Sequence, residues 1–263
     1  MLPYAVVCAA AFLTSGLTLF TGFGLGTLLM PVLALFFPLE MAVAATAVVH
    51  AANNAFKVAV VGRHADRSLI VRFGLPAIVA AFAGAAALGY VSHFGTLLTY
   101  TVGPRTAVVT PLKLVMGVLM LAFAAFELLP RLREMTFDRK HLLAGGLLSG
   151  FFGGFSGHQG ALRSAFLVKT GISTQAFVGT NAAIGFLVDL ARLSVYAATF
   201  LVSRTAPPLA RGRWPLIAAA TLAAFAGVLI GKKFLHRIPL RTVQTLTGIL
   251  LAAIALAIAS GIL

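Results

Sequence analysis

Acidic side chains are scarce in this chain: six Asp and Glu stand against 20 Lys and Arg, for a formal net charge of +14. In a soluble protein that balance would suggest nucleic acid. Here no basic stretch is interleaved with aromatics, and most basic residues fall between long apolar runs, the pattern of connections facing anionic lipid. No nucleic-acid partner is expected. Cysteine is nearly absent: with Cys8 alone, an intrachain disulfide and a thiolate-ligated zinc or iron–sulfur cluster are excluded. No G-x-x-x-x-G-K-[ST] run occurs, which argues against activity driven by ATP within this polypeptide. The first residues, MLPYAVV, carry no basic n-region and read as the start of a membrane helix rather than a cleaved signal.

What the chain has instead is apolar surface. Hydrophobic residues make up 60% of the 263 and charged ones 10%, with mean hydropathy +1.02, more than a soluble domain can hide. The apolar runs are continuous rather than alternating, which argues against a β-barrel and for an all-α polytopic membrane protein. Segments of about 4–36, 40–62, 73–91, 110–129, 141–168, 174–202, 214–231 and 240–262 give eight transmembrane helices, with a loop at Gly103-Pro104-Arg105. The first segment is too long for one straight crossing of a ~30 Å hydrocarbon core. Gly22, Gly24 and Gly26 mark where it breaks, freeing backbone N–H groups to face an anion at the start of a half-helix.

The stretch that organises the chain is Ser149 to Lys169, SGFFGGFSGHQGALRSAFLVK, which sets glycines beside His158, Gln159 and Arg163 inside an apolar segment. Polar groups there are costly in lipid unless they pair or act. A weaker copy lies a constant 134 positions upstream, where Ser15/Ser149, Gly16/Gly150, Gly26/Gly160, Leu28/Leu162, Leu33/Leu167, Ala42/Ala176 and Thr46/Thr180 are identical without a gap. That spacing, near half the chain, predicts two homologous four-helix repeats, 1–136 and 137–263, each opening on a glycine-broken helix.

In the second segment His50, Asn53, Asn54 and Lys57 fall at i, i+3, i+4 and i+7, one polar stripe on an apolar helix. Asn53 and Asn54 read as a wall of a substrate path, and Lys57 as a side chain snorkelling to the interface. Asp189 is the only acidic residue that reads as deep in any segment, one helical turn from Arg192. Left unpaired it would be costly, so it is ion-paired with Arg192 or Arg163, or protonated. Asp189, Arg192 and His50 are the candidates for proton coupling, against the plainer reading of a static intrahelical pair. His64, His93, His141 and His236 lie near ends or connections, so no metal site and no cofactor are expected. With eight crossings, the connections at 63–72, 130–140 and 203–213 hold ten Lys and Arg against five on the other face, which puts both termini in the cytoplasm of a cell inner (plasma) membrane protein; if each glycine break adds a crossing the count is eleven against four, so charge alone does not settle the parity, and eight crossings are the reading taken.

Glycine-rich first segments in each half, then a turn and a helix opening on Ala with Thr46 or Thr180, together resemble the sulfite exporter TauE/SafE family, also called the toluene-sulfonate uptake permease group. The family's glycine cluster maps onto Gly22, Gly24, Gly26 and the following Pro31, and in the second half onto Gly153, Gly154, Gly157 and Gly160. His158-Gln159 stands where glycines are common, and Arg163 is an addition. The resemblance implies a secondary transporter, not an enzyme, moving sulfite, organosulfonates and related anions; export coupled to the proton gradient is the further expectation, read from Asp189, and a homodimer is a possible assembly. On that reading Gly22, Gly24, Gly26, Asn53, Asn54, His158, Gln159, Gly160 and Arg163 bind the anion. The guanidinium offers planar donors, the amide a neutral donor, the imidazole a switchable charge, and the glycines bare N–H groups. Two alternatives stand beside it. One is a passive anion channel. The other is a rhomboid-like intramembrane serine protease, since Gly154-Phe155-Ser156-Gly157 fits G-x-S-G and His50 is the one histidine deep in another segment.

Overall fold

The computed structural model describes residues 1–21, 24–202, 214–234 and 240–263. The expected glycine breaks are there. The first apolar run forms α1 (Leu2–Thr21) and α2 (Leu25–Ala34), separated around Gly24, whose φ of 127° only glycine adopts without strain. Pro38, extended at φ −52° and ψ 149°, ends the connection and starts α3 (Leu39–Val61). Asp66 caps a short turn, α4 (Arg67–Leu69), by accepting from the Leu69 amide at 3.0 Å, and the chain runs through a wide turn at Ile70–Gly74 into α5 (Leu75–Ser92).

The segment around Gly103 is not a plain loop. Leu98–Val102 (β1) and Arg105–Val109 (β2) pair antiparallel, with Gly103 at φ 59° in the turn. The β-branched runs LTYTV and TAVV carry that signal. Thr110 accepts from the Lys113 amide at 3.2 Å, and Pro111 opens α6 (Pro111–Leu128), followed by a single turn, α7 (Pro130–Arg133). The second half repeats the opening pattern: α8 (Leu142–Ser156), a break at Gly157 with φ 83°, α9 (Gly160–Leu167) and α10 (Thr174–Val202). Then come α11 (Trp214–Phe234) and α12 (Leu240–Ala259). The basic connections at 203–213 and 235–239, and Gly22, lie outside the described residues.

Among the described residues four helices are long and apolar enough to cross a membrane: Leu39–His64, Arg67–Ser92, Pro111–Leu128 and Thr174–Thr199. Their exposed flanks are rows of leucine, valine and phenylalanine such as Val79, Phe82, Val118 and Leu190, as a lipid-facing surface requires. The fold is therefore that of an all-α polytopic membrane protein carrying one small β-hairpin.

Close contacts fix the direction in which neighbouring helices run. A Cβ at Gly146, Gly150 or Gly154 would strike the backbone of Phe73, Ala77 or Ala81 in that order, so α5 and α8 lie parallel and close, backbone to backbone. Val61 meets Gly179 and Asn54 meets Gly185, so α3 and α10 are antiparallel; Gly117 meets Ala259 and Leu128 meets Gly248, so α6 and α12 are antiparallel too. The fourth pair is α1 with α11, which approach at Phe12 and Gly227. Each of these four pairs joins a helix before residue 136 to one after it.

The breaks reverse the chain. Ser15 donates to Asn53 at 2.8 Å and Lys57 donates to Thr18, so α1 runs with α3, whereas Gly26 beside His50 and the short connection 35–38 make α2 run against it. In the second half Gly153 packs on Gln159 and Gly145 on Phe166, so α9 returns along α8. The expected single broken crossings are thus two helical hairpins. They start from opposite faces of the bundle and meet where Gly26 approaches the Gly157 carbonyl. One face holds the β-hairpin and the C-terminus, joined by Tyr100 Oη to Ser260 O at 2.5 Å and Val108 N to Gly261 O at 3.0 Å. The other holds 62–66 and the connection between α7 and α8, joined to the second hairpin by Asp66 N to Thr180 Oγ1 at 2.8 Å and Phe137 N to Ala165 O at 3.1 Å.

Candidate functional site

Polar side chains in the middle of this bundle have no water to turn to, so their partners define the site. α3 and α10 cross there, and both carry polar residues at helical spacing. Asp189 is fully buried, and its carboxylate is held from four sides. Oδ2 meets His50 Nδ1 at 2.6 Å and accepts from Asn54 Nδ2 at 3.1 Å. Oδ1 accepts from Arg192 Nε at 3.0 Å and Nη2 at 2.7 Å, and from Gln159 Nε2 at 3.1 Å. Of the two partners expected for this carboxylate, Arg192 pairs with it and Arg163 does not; His50, expected beside them only as a proton-coupling residue, is a second partner. Arg192 also reaches the Gly153 carbonyl at 3.3 Å, tying the network to the end of α8.

Arg163 points elsewhere. It is buried at 2% exposure, and its Nε donates to Asn181 Oδ1 at 2.7 Å and its Nη1 to Gln159 Oε1 at 2.9 Å, both neutral acceptors. Gln159 therefore bridges the two arginine systems, giving its amide N–H to Asp189 and its oxygen to Arg163. Ser149 holds its backbone by donating to Gln159 O at 2.9 Å.

Between the two glycine breaks lies a small cavity. Gly24 and Gly26 line it from the first hairpin, Gly157, Gly160 and Arg163 from the second, and His50, Asn54 and Lys57 from α3. It leaves about 20 Å³ for the centres of water-sized groups, room for roughly one such group, so a larger solute requires the walls to part. At the contact between the hairpins, a Cβ on Gly26 would sit 2.7 Å from the Gly157 carbonyl oxygen. Only a residue without a side chain allows that approach.

Of the residues singled out from the sequence, Gly24, Gly26, His50, Asn54, Gly160 and Arg163 share this cavity. Gln159, Asp189 and Arg192 stand directly behind it, and Asn53 is bonded to Ser15 rather than facing it. His158 is turned away: its ring stacks on Phe123 at 5.0 Å between centroids, and Nδ1 lies 3.1 Å from Ser156 Oγ. The pairing of Ser156 with His50 that a rhomboid-like protease requires is not formed, since His50 is bonded to Asp189 and Ser156 donates to Phe152 O.

Three features differ from the sequence reading. Lys57 is not at an interface; it is buried at 5% exposure, because the first hairpin folds back over that end of α3. Asn181 and Thr18 also line the cavity, and a helical count back from Asp189 through Gly185 to Asn181 would have found the first. Finally, Asp189 is not the only buried acid, for Glu127 near the end of α6 is 3% exposed.

The family model described as "Sulfite exporter TauE/SafE" matches residues 7–258. No curated protein and no solved structure matches the chain.

Proposed function

Because the chain belongs to the sulfite exporter TauE/SafE family, a family of membrane transporters for sulfite and sulfonates, we propose that it carries small sulfur oxyanions outward through the cavity between its two glycine breaks, coupled to protons. The observation that carries this reading is Arg163: a buried guanidinium whose hydrogen bonds among the described residues go to neutral Asn181 and Gln159, opening into a cavity lined by bare glycine backbone. A buried cation with no direct ion pair is expensive, and an incoming oxyanion supplies one through a planar, bidentate contact. Asn54 and the backbone at Gly24, Gly26 and Gly160 are the further donors of the proposed site. Asn53, behind them, is proposed to brace α3 on α1, and Gln159 to aim Arg163. His158, expected among the ligands, has no place in this cavity and would meet the anion only if the second hairpin moved.

His50 lines the cavity on one side and bonds Asp189 on the other. That position suits a proton carrier that responds to the anion, with Arg192 holding the carboxylate in place and Lys57 and Arg163 as the other charges facing it. The two-repeat reading is supported by the order of elements, since α1, α2 and α3 recur as α8, α9 and α10, and by the reciprocal pairing of α1 with α11 and α5 with α8.

The test is flux in liposomes. Wild-type protein is expected to move sulfite down an imposed pH gradient, and Arg163→Gln to reduce the rate at least about a hundredfold at unchanged insertion. Retained sulfite flux in Arg163→Gln removes the arginine from the site; flux indifferent to the gradient makes the protein a passive anion channel.

A further inference from the structure

Lys57 lines the cavity but is not among the anion's donors proposed above. It is buried at 5% exposure on α3, one turn beyond Asn54, and its one described bond is to the neutral hydroxyl of Thr18. Among the described residues the ion pairs are His50 with Asp189 and Arg192 with Asp189, so the ammonium has no carboxylate partner. It lines the same cavity as Arg163 and approaches it from α3 under the first hairpin, whereas Arg163 stands on the second. Two cationic side chains therefore face one space from the two halves of the chain. The apolar side chains of the lining are Val178, Ala182 and the methyl groups of the threonines.

Building on the anion-site reading above, we propose that Lys57 is the second cationic ligand, and that the pair Lys57 and Arg163 selects compact oxyanions carrying two negative charges over singly charged organosulfonates. The bond from Lys57 to Thr18 then holds the ammonium while the cavity is empty. On binding, the ammonium exchanges that hydroxyl for an oxyanion oxygen opposite the one taken by Arg163. A divalent tetrahedral or pyramidal anion satisfies both cations at once, whereas a monovalent sulfonate leaves one of them uncompensated in a dry site.

The experiment measures equilibrium binding of sulfate, a divalent probe, and methanesulfonate, a monovalent one, to the purified full-length protein. Wild type, Lys57→Gln, Lys57→Arg, Thr18→Val and Arg163→Gln are compared. Lys57→Gln is expected to weaken sulfate by roughly tenfold to a hundredfold and methanesulfonate by no more than about threefold. Lys57→Arg keeps the preference, and Thr18→Val, which frees the ammonium, tightens sulfate. Equal losses for the two anions in Lys57→Gln, or no loss, overturn the inference and leave the anion site standing, because Arg163→Gln still abolishes binding. If wild type binds neither anion, the anion-site reading itself fails and this inference with it. Should Lys57→Gln not fold, Thr18→Val decides: sulfate affinity unchanged or weakened counts against the proposal.

Discussion

Asp189 receives bonds from His50, Asn54, Gln159 and Arg192, and a carboxylate so enclosed does two things at once. It compensates Arg192, fully buried one turn away, and it carries the charge that a proton at His50 would answer. Asp189→Asn keeps the shape but leaves Arg192 without a counter-charge, so it should cost about 3–5 kcal/mol of stability, measured by unfolding in detergent. Asp189→Asn with Arg192→Met removes both charges and is expected to recover most of that loss; a double variant as unstable as the sum would show that the ion pair is not the source. Flux in a stable double variant should no longer respond to a pH gradient. At this scale much was legible. A lone acid in an apolar helix, with an arginine one turn on, announces itself, as do Arg163 and the stripe from His50 to Asn54. Lys57 was not legible, because a lysine near the end of an apolar helix reads as reaching for water until a hairpin is seen to cover it.

At the scale of elements, the glycines do two separate jobs. In the hairpins they permit reversal and the contact between Gly26 and the Gly157 carbonyl; along α8 they let α5 approach so closely that a Cβ at Gly150 would lie 2.0 Å from the Ala77 carbonyl oxygen. Gly150→Ala is therefore expected to destabilise the protein by about 1–3 kcal/mol or more through forced separation of the two helices. Gly26→Ala should cost less stability, since the hairpin tips can part, but should slow flux. Gly95, with open space around it, is the control, and Gly95→Ala should change neither. Equal stability of Gly150→Ala and Gly95→Ala would contradict the packing account. The helices are interrupted at Gly24 and Gly157, where glycine frees the backbone. The sequence cannot say which way the chain leaves the break, since that is decided by contacts with α3 and α10, far along the chain. The β-hairpin was missed for a simpler reason: its two short strands sit inside what reads as a connection.

For the whole molecule the reversals change the topology. Each hairpin returns the chain to the face it started from, so both termini share a face with the β-hairpin, and 62–66 and the connection between α7 and α8 lie opposite. Arg63, Arg67, Arg131, Arg133, Arg139, Lys140 and Lys169 all fall on that opposite face, whereas the described connections beside the termini carry Arg105 and Lys113. On the positive-inside rule this charge distribution predicts termini on the outer side, the reverse of what eight simple crossings imply. A C-terminal alkaline phosphatase fusion should be active and a fluorescent-protein fusion dark; the opposite pattern returns the termini to the cytoplasm. The halves also do not fold as neighbours, because each of the main helix pairs joins a helix before residue 136 to one after it. A sequence read as duplicated predicts two separate bundles, whereas the long-range contacts pair helices across residue 136.

The central claim is that an oxyanion sits where the two hairpins meet, against Arg163. The direct measurement is a crystal structure with selenite, whose selenium marks its position by anomalous scattering. The account expects a peak within hydrogen-bonding reach of the Arg163 guanidinium, bounded by Gly26, Asn54 and Gly160. A selenium peak elsewhere in the bundle, with that space left empty, would contradict it.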